Sequence, residues 1–528
     1  MRLLLCALSL CLLQAVPLSA ESIPLKLRYQ EPVQEGVQNY HRLERDESWE
    51  ANQTAIILCD VWDSHTCANA VLRLEEFVPR LNETVSRLRK QGAVVIHAPS
   101  GCMDHYSSHP ARKRAESCPV AAQLPAEIGK WCYQIPSEEQ GTYPIDQTDG
   151  GNDDTAEQKE KWLQHLQAEG RNPKSPWQKQ HTGIRIDDAQ DYISDRGEEV
   201  WSILEQHQIR NVILAGVHTN MCVLGRPFGL RQLARNGKNV VLMRDLTDTM
   251  YNPASSPFVS HYTGTDLIVS HIERHVCPTI SSDQILGGKP FRFQNDHRRD
   301  LLIVIAEDEY KTEQSLPVFA LEKLGHDYRV SIVYGTESDR NLIPGIEQIR
   351  DADVALISVR RRVLPPAQMQ AVRDYVSAGR PLIGIRTASH AFSLRAGTEL
   401  PEGYADWTSF DQDVFGGNYH GHHGNKLKST VRYAQNLQHP ILKGLDTSTT
   451  FPQGWSLYEV SPLLDGTTPL LFAAIEGLPE EPVAWTFLRK DGGRSFYTSL
   501  GNVDDFQRPE LPTLLKNGID WAAGAIEE

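Results

Sequence analysis

One recurrence constrains this chain more than any single motif: short apolar runs, each closing on a polar residue, alternate with stretches of helical spacing. Residues 54–61 (TAIILCDV) and 93–98 (AVVIHA) bracket FVPRLNETVSRLRKQG, residues 77–92, whose apolar positions recur on one helix face and whose Gly92 suits a C-cap. GEEVWSILEQHQI leads into NVILAGV (211–217), and FGLRQLARNGK leads into NVVLMRD (239–245). Such alternation predicts a parallel sheet covered by helices on both faces. In sheets of this kind functional groups gather at the C-terminal ends of strands, where Asp60 and Cys222 both stand.

The alternation restarts after a polar, turn-rich connection at 278–300. Apolar runs LLIVIAEDEY (301–310), YRVSIVYG (328–335), ADVALISV (352–359) and PLIGIRTASHAF (381–392) are joined by helical stretches SLPVFALEKLG and PPAQMQAVRDYVSAG. This second half does not repeat the first, because its motifs differ. About 500 residues are also too many for one core. The expectation is an α/β chain of two doubly wound parallel-sheet domains in tandem, each of three αβα layers, over 21–290 and 296–528.

Residues 1–20 stand apart. A basic start at Arg2, the apolar run LLLCALSLCLLQAV and the small residues Ser19-Ala20 read as a secretory signal peptide, so a secreted or periplasmic protein is expected. No later stretch approaches the ~20 apolar residues of a membrane span. The net charge of −15 argues against nucleic acid or an anionic membrane as partner. The basic clusters Arg112-Lys113-Arg114 and Arg360-Arg361-Arg362 read as solvated faces. Of nine cysteines, seven follow residue 20 and all lie before 278. An odd number leaves one thiol unpaired within a monomer, and Cys222 is the candidate; Cys59, Cys67, Cys102, Cys118, Cys132 and Cys277 suffice for three disulfides in an oxidising compartment.

Cys222 lies in VILAGVHTNMCVLG (212–225), a buried strand, a tight turn and the start of a helix. Helix N-terminal amides favour a thiolate and an oxyanion forming beside it. A thiol needs a neighbouring base, and a carboxylate base beside sulfur needs a cation to offset repulsion. Each residue also has a plainer reading: a buried small hydrophobe for Cys222, a strand-end turn former for Asp60, a solvated surface residue for Lys179.

The ordered set Asp60, Lys179 in WQKQHTG and GVHTNMCV resembles the isochorismatase-like cysteine hydrolases, which include the nicotinamidases, over roughly residues 50–280. The resemblance implies that Cys222 attacks a carbonyl carbon, that Asp60 accepts its proton, and that Lys179 holds the pair charged, with Lys174 and Lys161 as rivals for that place. It also implies a cis peptide at Val217-His218 and an oxyanion hole from the amides of His218 and Cys222. The cysteine mechanism itself requires no cofactor. A divalent metal is a further alternative: nicotinamidases carry an Asp-x-His…His set, and Asp104, His105 and His109 lie near its place in shifted order, while Asp63-Ser64-His65 has the spacing after the wrong strand. Residues 100–178 are an insertion, with Trp131 and Tyr133, expected to wall or cover the site and to select a small-molecule substrate.

In the second half, GRPLIGIRTASHAF (379–392), DVFGGNYHGHHG (413–424), HPILKGL (439–445) and VAWTFLRKDGGRSFYTSLGNVDDF (483–506) resemble the ThuA-like (trehalose utilisation) family, relatives of class I glutamine amidotransferases. There the turn at GIRTASH would present a nucleophilic cysteine; no cysteine follows residue 277, so glutamine hydrolysis by that route is excluded. What remains is a candidate pocket of Asp308, His390, Tyr419, His420 and His422, with His423 and Trp407, suited to acid–base, metal or sugar contacts. Asn502 stands where the family often has histidine. The combined expectation is an exported hydrolase of an amide-like C–N bond, coupled to a domain associated with carbohydrate. The alternative is a carbohydrate-binding or carbohydrate-processing protein whose first domain is a scaffold. A third alternative is a non-catalytic assembly module, since sheets of this type commonly associate, and with it a homo-oligomer.

Overall fold

The computed structural model describes residues 21–526, so the expected signal segment lies outside the described residues. The first domain is built on eight strands: β1 (Ser22–Pro32), β2 (Tyr40–Glu50), β3 (Thr54–Cys59), β4 (Val94–Ala98), β5 (Tyr192–Ile193), β6 (Asn211–Val217), β7 (Asn239–Asp248) and β8 (Thr279–Ile280). They lie in the order β2-β1-β8-β7-β6-β3-β4-β5. From β8 to β5 every pairing is parallel. The β1–β2 hairpin adds to β8 antiparallel, so the sheet is mixed rather than wholly parallel. Its strand character follows from alternation: Ile23, Leu25 and Leu27 are buried while their neighbours face out.

The helices cover both faces. Helix Ala68–Gln91 lays Phe77, Leu81, Val85 and Leu88 on Ile56, Leu58 and Ile213. Helices Gly197–Gln206 and His261–His275 pack Ile203, Leu204 and Ile272 on the opposite face, against Ile57 and Leu214. The first helix ends at Gly92, at φ 103°, a left-handed C-cap that glycine occupies without strain.

The second domain contains β9 (Arg299–Ala306), β10 (Tyr328–Tyr334), β11 (Val354–Val359), β12 (Leu382–Ile385), β13 (Gly421–His422), β14 (Thr430–Tyr433), β15 (Thr450–Pro452), β16 (Tyr458–Glu459), β17 (Thr467–Ala474), β18 (Glu481–Leu488) and β19 (Arg494–Thr498). Its sheet runs β10-β9-β11-β12-β19-β18-β17-β14-β15, with β13 and β16 forming a separate pair. Only β10 to β19 are parallel; β18, β17, β14 and β15 continue antiparallel. Helix Pro366–Ser377 covers one face through Met369 and Val372, and helix Glu510–Ala522 covers the other through Leu514, Leu515 and Ile519. Two α/β domains in layers are therefore present, with sheets more mixed than the apolar runs suggested.

Two smaller expectations change. The seven described cysteines are free thiols, and no disulfide is present among the described residues. Nor are the basic clusters wholly solvated. Arg112 is buried against Glu199 at 2.5 Å, and Arg362 is buried with Nε donating to the Ala306 carbonyl. Among the described residues no helix is long and apolar enough to cross a membrane.

Candidate active site

β3 and β6 are adjacent in the sheet, and their close approach sets the site. Gly216, at φ 114°, faces β3 so tightly that a Cβ would stand 2.1 Å from the Cys59 carbonyl oxygen. Any side chain there would push apart the two strand ends that carry Asp60 and Cys222. Asp60, at φ 49°, turns the chain out of β3, and its carboxylate is fully buried. After β6 the Val217-His218 peptide is cis, and a helical turn at Thr219–Val223 carries Cys222, which is 8% exposed.

The structure brings Asp60 and Cys222 within hydrogen-bonding reach. Asp60 Oδ1 accepts from the Ser100 amide at 2.7 Å and Oδ2 from Arg226 Nε at 3.0 Å. The cation beside the pair is thus Arg226, in the place assigned to Lys179 from the sequence. Lys179 pairs by its main chain with Asp63, and its ammonium enters no ion pair among the described residues. Lys161 is engaged with Glu157 at the surface. Arg226 follows Cys222 by one helical turn, its amide donating to the Cys222 carbonyl at 3.0 Å. Residues four apart share a helix face, a signal already present in MCVLGR.

Electrostatics define the resting state. Burial raises the Asp60 carboxyl, and Arg226 and Ser100 oppose it. The Cys222 thiol is raised well above its ordinary value by burial and then by Asp60, with Arg226 again opposing. Burial alone would lower Arg226, but Asp60, Cys222 and Cys59 outweigh it and hold it charged. The arrangement therefore rests as a neutral thiol beside an acid–guanidinium pair, with a carboxylate made a stronger proton acceptor by burial.

The insertion walls this edge. The Trp131 ring lies 5.4 Å beneath the Arg226 guanidinium, and Gly225 leaves room for its indole. Trp177 stacks on Trp62 with centroids 4.5 Å apart, and Trp62 Nε1 donates to the Ser100 carbonyl. A small hollow beside Asp60 is bounded by Trp62, His65, Leu74 and His218. His65 and His218 stand 4.7 Å apart; burial pushes the first down to about 4 and the second well below its usual value, so both are neutral. Tyr133 is 81% exposed, with its ring 6.2 Å from that of Trp131.

The metal candidates do not gather. His109 Nδ1 accepts from the Ala111 amide as a helix cap, and Asp104 and His105 lie in the turn Met103–Tyr106. The one three-residue group of metal-ligand type among the described residues is Cys67, Asp153 and Asp154. Asp153 is committed to Arg73 there, and Asp154 to the amides of Ala68 and Asn69.

In the second domain the pocket divides. His390 is buried and stacked on Tyr419 at 4.4 Å, with Tyr458 4.9 Å from Tyr419. Burial holds His390 well below its ordinary value, hence neutral. His420 and His422 are exposed, each with Nδ1 bonded to a nearby carbonyl, and Asp308 forms a surface pair with Arg340 at 2.7 Å. Trp407 gives its N–H to Asp413. The turn after β12 is entered by Arg386 at φ 53°, fully buried, with its guanidinium 4.3 and 4.6 Å over Tyr310 and Tyr458 and donating to the carbonyls of Ser499 and Ser456.

Residues 300–522 match the model of the ThuA family, described as trehalose utilisation. No curated protein matches the chain. Among solved structures, a ThuA-like protein from Bacteroides uniformis ATCC 8492 is 17% identical, covers 44% of this chain and 95% of its own, and superposes with a TM-score of 0.34. A cysteine hydrolase from Pseudomonas syringae pv. phaseolicola 1448A is 13% identical, covering 45% of this chain and 92% of its own, at a TM-score of 0.27. An isochorismatase family protein from Desulfovibrio vulgaris subsp. vulgaris is 12% identical, covering 43% and 94%, at 0.24.

Proposed function

We propose that this chain, whose residues 300–522 form a ThuA-like domain, is an exported hydrolase that cleaves an amide-like C–N bond of a small molecule at Cys222 of its first domain. The observation that carries this reading is the buried Asp60 carboxylate held between the Ser100 amide and Arg226, with the Cys222 thiol in reach. In this reading sulfur attacks the carbonyl carbon as its proton passes to Asp60. Negative charge moves to the carbonyl oxygen, beside the amides of His218 and Cys222, and Arg226 faces the carboxylic acid so formed. Asp60 then gives its proton to the departing nitrogen, the C–N bond breaks, and a thioester remains on Cys222. Water, losing a proton to Asp60, attacks the thioester; the acid leaves and sulfur recovers the proton. Neutral His65 and His218 beside stacked Trp62 and Trp177 favour a small, uncharged, planar substrate end.

Cys222→Ala in the full chain is expected to abolish both alkylation at that peptide and amide turnover; turnover left unchanged rejects the mechanism. A second reading, carbohydrate binding by the second domain over a scaffold first domain, draws on the exposed loop histidines beside the Tyr419–His390 stack, since aromatic faces hold sugar rings. Glycan binding lost on Tyr419→Ala but retained by Cys222→Ala, with no amide turnover in either, would support it instead.

A further inference from the structure

A cleft of about 620 Å3 separates the two domains and takes no part in the chemistry above. Its walls come from the β1–β2 hairpin, β7, helix His261–His275 and β10. The volume falls in the range of small-molecule sites. Arg28 pairs with the buried Glu273 at 2.6 Å, and that carboxylate is further occupied by Gln30 Nε2 at 2.8 Å and Thr279 Oγ1 at 2.6 Å.

Three more guanidiniums line the cleft, and none of them forms an ion pair with a carboxylate among the described residues. Arg42 Nη1 donates to Ser331 Oγ of the second domain at 2.7 Å. Arg244 reaches only the hydroxyls of Thr279 and Ser281, at 3.4 and 3.0 Å. Arg274 Nε donates to Gln30 Oε1 at 2.8 Å, with its guanidinium 4.3 Å over the Tyr40 ring. Most of their N–H donors have no partner among the described residues. The other wall is balanced, with Arg298 against Asp296 and Arg329 against Asp300.

We propose that this cleft binds a small anion carrying at least two negative charges on phosphoryl or carboxylate oxygens, held by Arg42, Arg244 and Arg274 and bridging the two domains. The nearby carboxylates are already engaged, Glu273 by Arg28, Asp266 by Arg298 and Asp245 by the amides of Ser282 and Phe291, and among the described residues none forms an ion pair with Arg42, Arg244 or Arg274. Guanidinium forks match phosphoryl and carboxylate oxygens in pairs, and such charge-assisted bonds are the strong ones. Burial, and then repulsion from Arg28, pushes Arg42 down to about 10 and Arg244 to about 9. A bound dianion would relieve that penalty. In a chain of net charge −15 an unpaired basic cleft is unlike the rest of the molecule.

The test is titration calorimetry of the full chain with pyrophosphate and with citrate, against sodium chloride at equal ionic strength. Saturable binding of either probe is expected. Arg42→Gln and Arg244→Gln should each weaken it at least ~10-fold, about 1.4 kcal/mol, while Arg329→Gln on the balanced wall should change it less than about 2-fold. On the wild-type chain, where folding of a variant is no concern, the bound probe should shield Arg42, Arg244 and Arg274 from phenylglyoxal while surface Arg45 continues to react. The stronger of the two probes assigns phosphoryl or carboxylate chemistry. No saturable binding of either, affinity unchanged in Arg42→Gln and Arg244→Gln, or absence of shielding overturns the proposal.

Discussion

Arg226→Gln removes the one cation among the described residues that pairs with Asp60 and tests whether the site works as described. The Nε–Oδ2 separation is 3.0 Å, the carboxylate is fully buried and the Arg226 side chain is 26% exposed. At an effective dielectric of about 20, a unit-charge pair at this distance is worth ~5 kcal/mol. Partial exposure and the hydrogen bond that glutamine can still offer cut this to ~3 kcal/mol, or about two orders of magnitude in rate. The readout is alkylation of Cys222 by iodoacetamide at neutral pH, resolved by peptide mass spectrometry so that the half-exposed Cys118 does not contribute. Amide turnover is measured in parallel. Arg226→Lys should recover about one of the two orders, since it restores charge but not the planar fork. Lys179→Ala should stay within about 2-fold of wild type, as expected for a surface charge without an ion partner. A Lys179→Ala loss matching that of Arg226→Gln, or full reactivity of Arg226→Gln, would falsify the assignment of the cation.

Other outcomes follow from the same geometry. Trp131→Ala withdraws the ring beneath Arg226 and should lower Cys222 reactivity about 3–10-fold, the scale of a partly desolvated cation–π contact; no change means the ring does not position the guanidinium. Asp411 is buried, accepts from the Tyr419 amide at 2.8 Å, and its carboxyl is pushed up to about 7 by burial from an ordinary 3.8. The folded value is the higher one, so its contribution to stability is complete below pH ~4 and lost as pH rises to ~7, on the order of 4 kcal/mol. Urea midpoints of Asp411→Asn at pH 4.5 and 7.5 should differ by less than those of wild type; a pH slope identical to wild type refutes the burial argument.

Much of this was legible in the sequence because the signals were local. The runs at 54–61 and 211–217 mark β3 and β6, and the polar residues after them sit at strand ends as expected. The β1–β2 hairpin was not read, although Ile23, Leu25 and Leu27 alternate strictly; Pro24 and Lys26 between them mask a strand that buries only one face. The antiparallel half of the second sheet was also missed, since pairing direction is set by connections rather than by composition. Arg226 was overlooked because the resemblance supplied a lysine, while helical spacing from Cys222 pointed to position 226. Trp131 and Trp177 meet the site only through contacts distant along the chain, which no local pattern reports.

Arg386 has a bearing on how the second domain could change over time. Its guanidinium is wedged between two tyrosine rings and donates to two carbonyls, so it fills the space beneath the rings. Exchange to any smaller residue, cysteine included, would leave a hole beneath the rings and two acceptors stranded. Installing a reactive group at that corner would demand coordinated replacement of several neighbours. Packing, and not merely the identity of one side chain, holds this turn as it is.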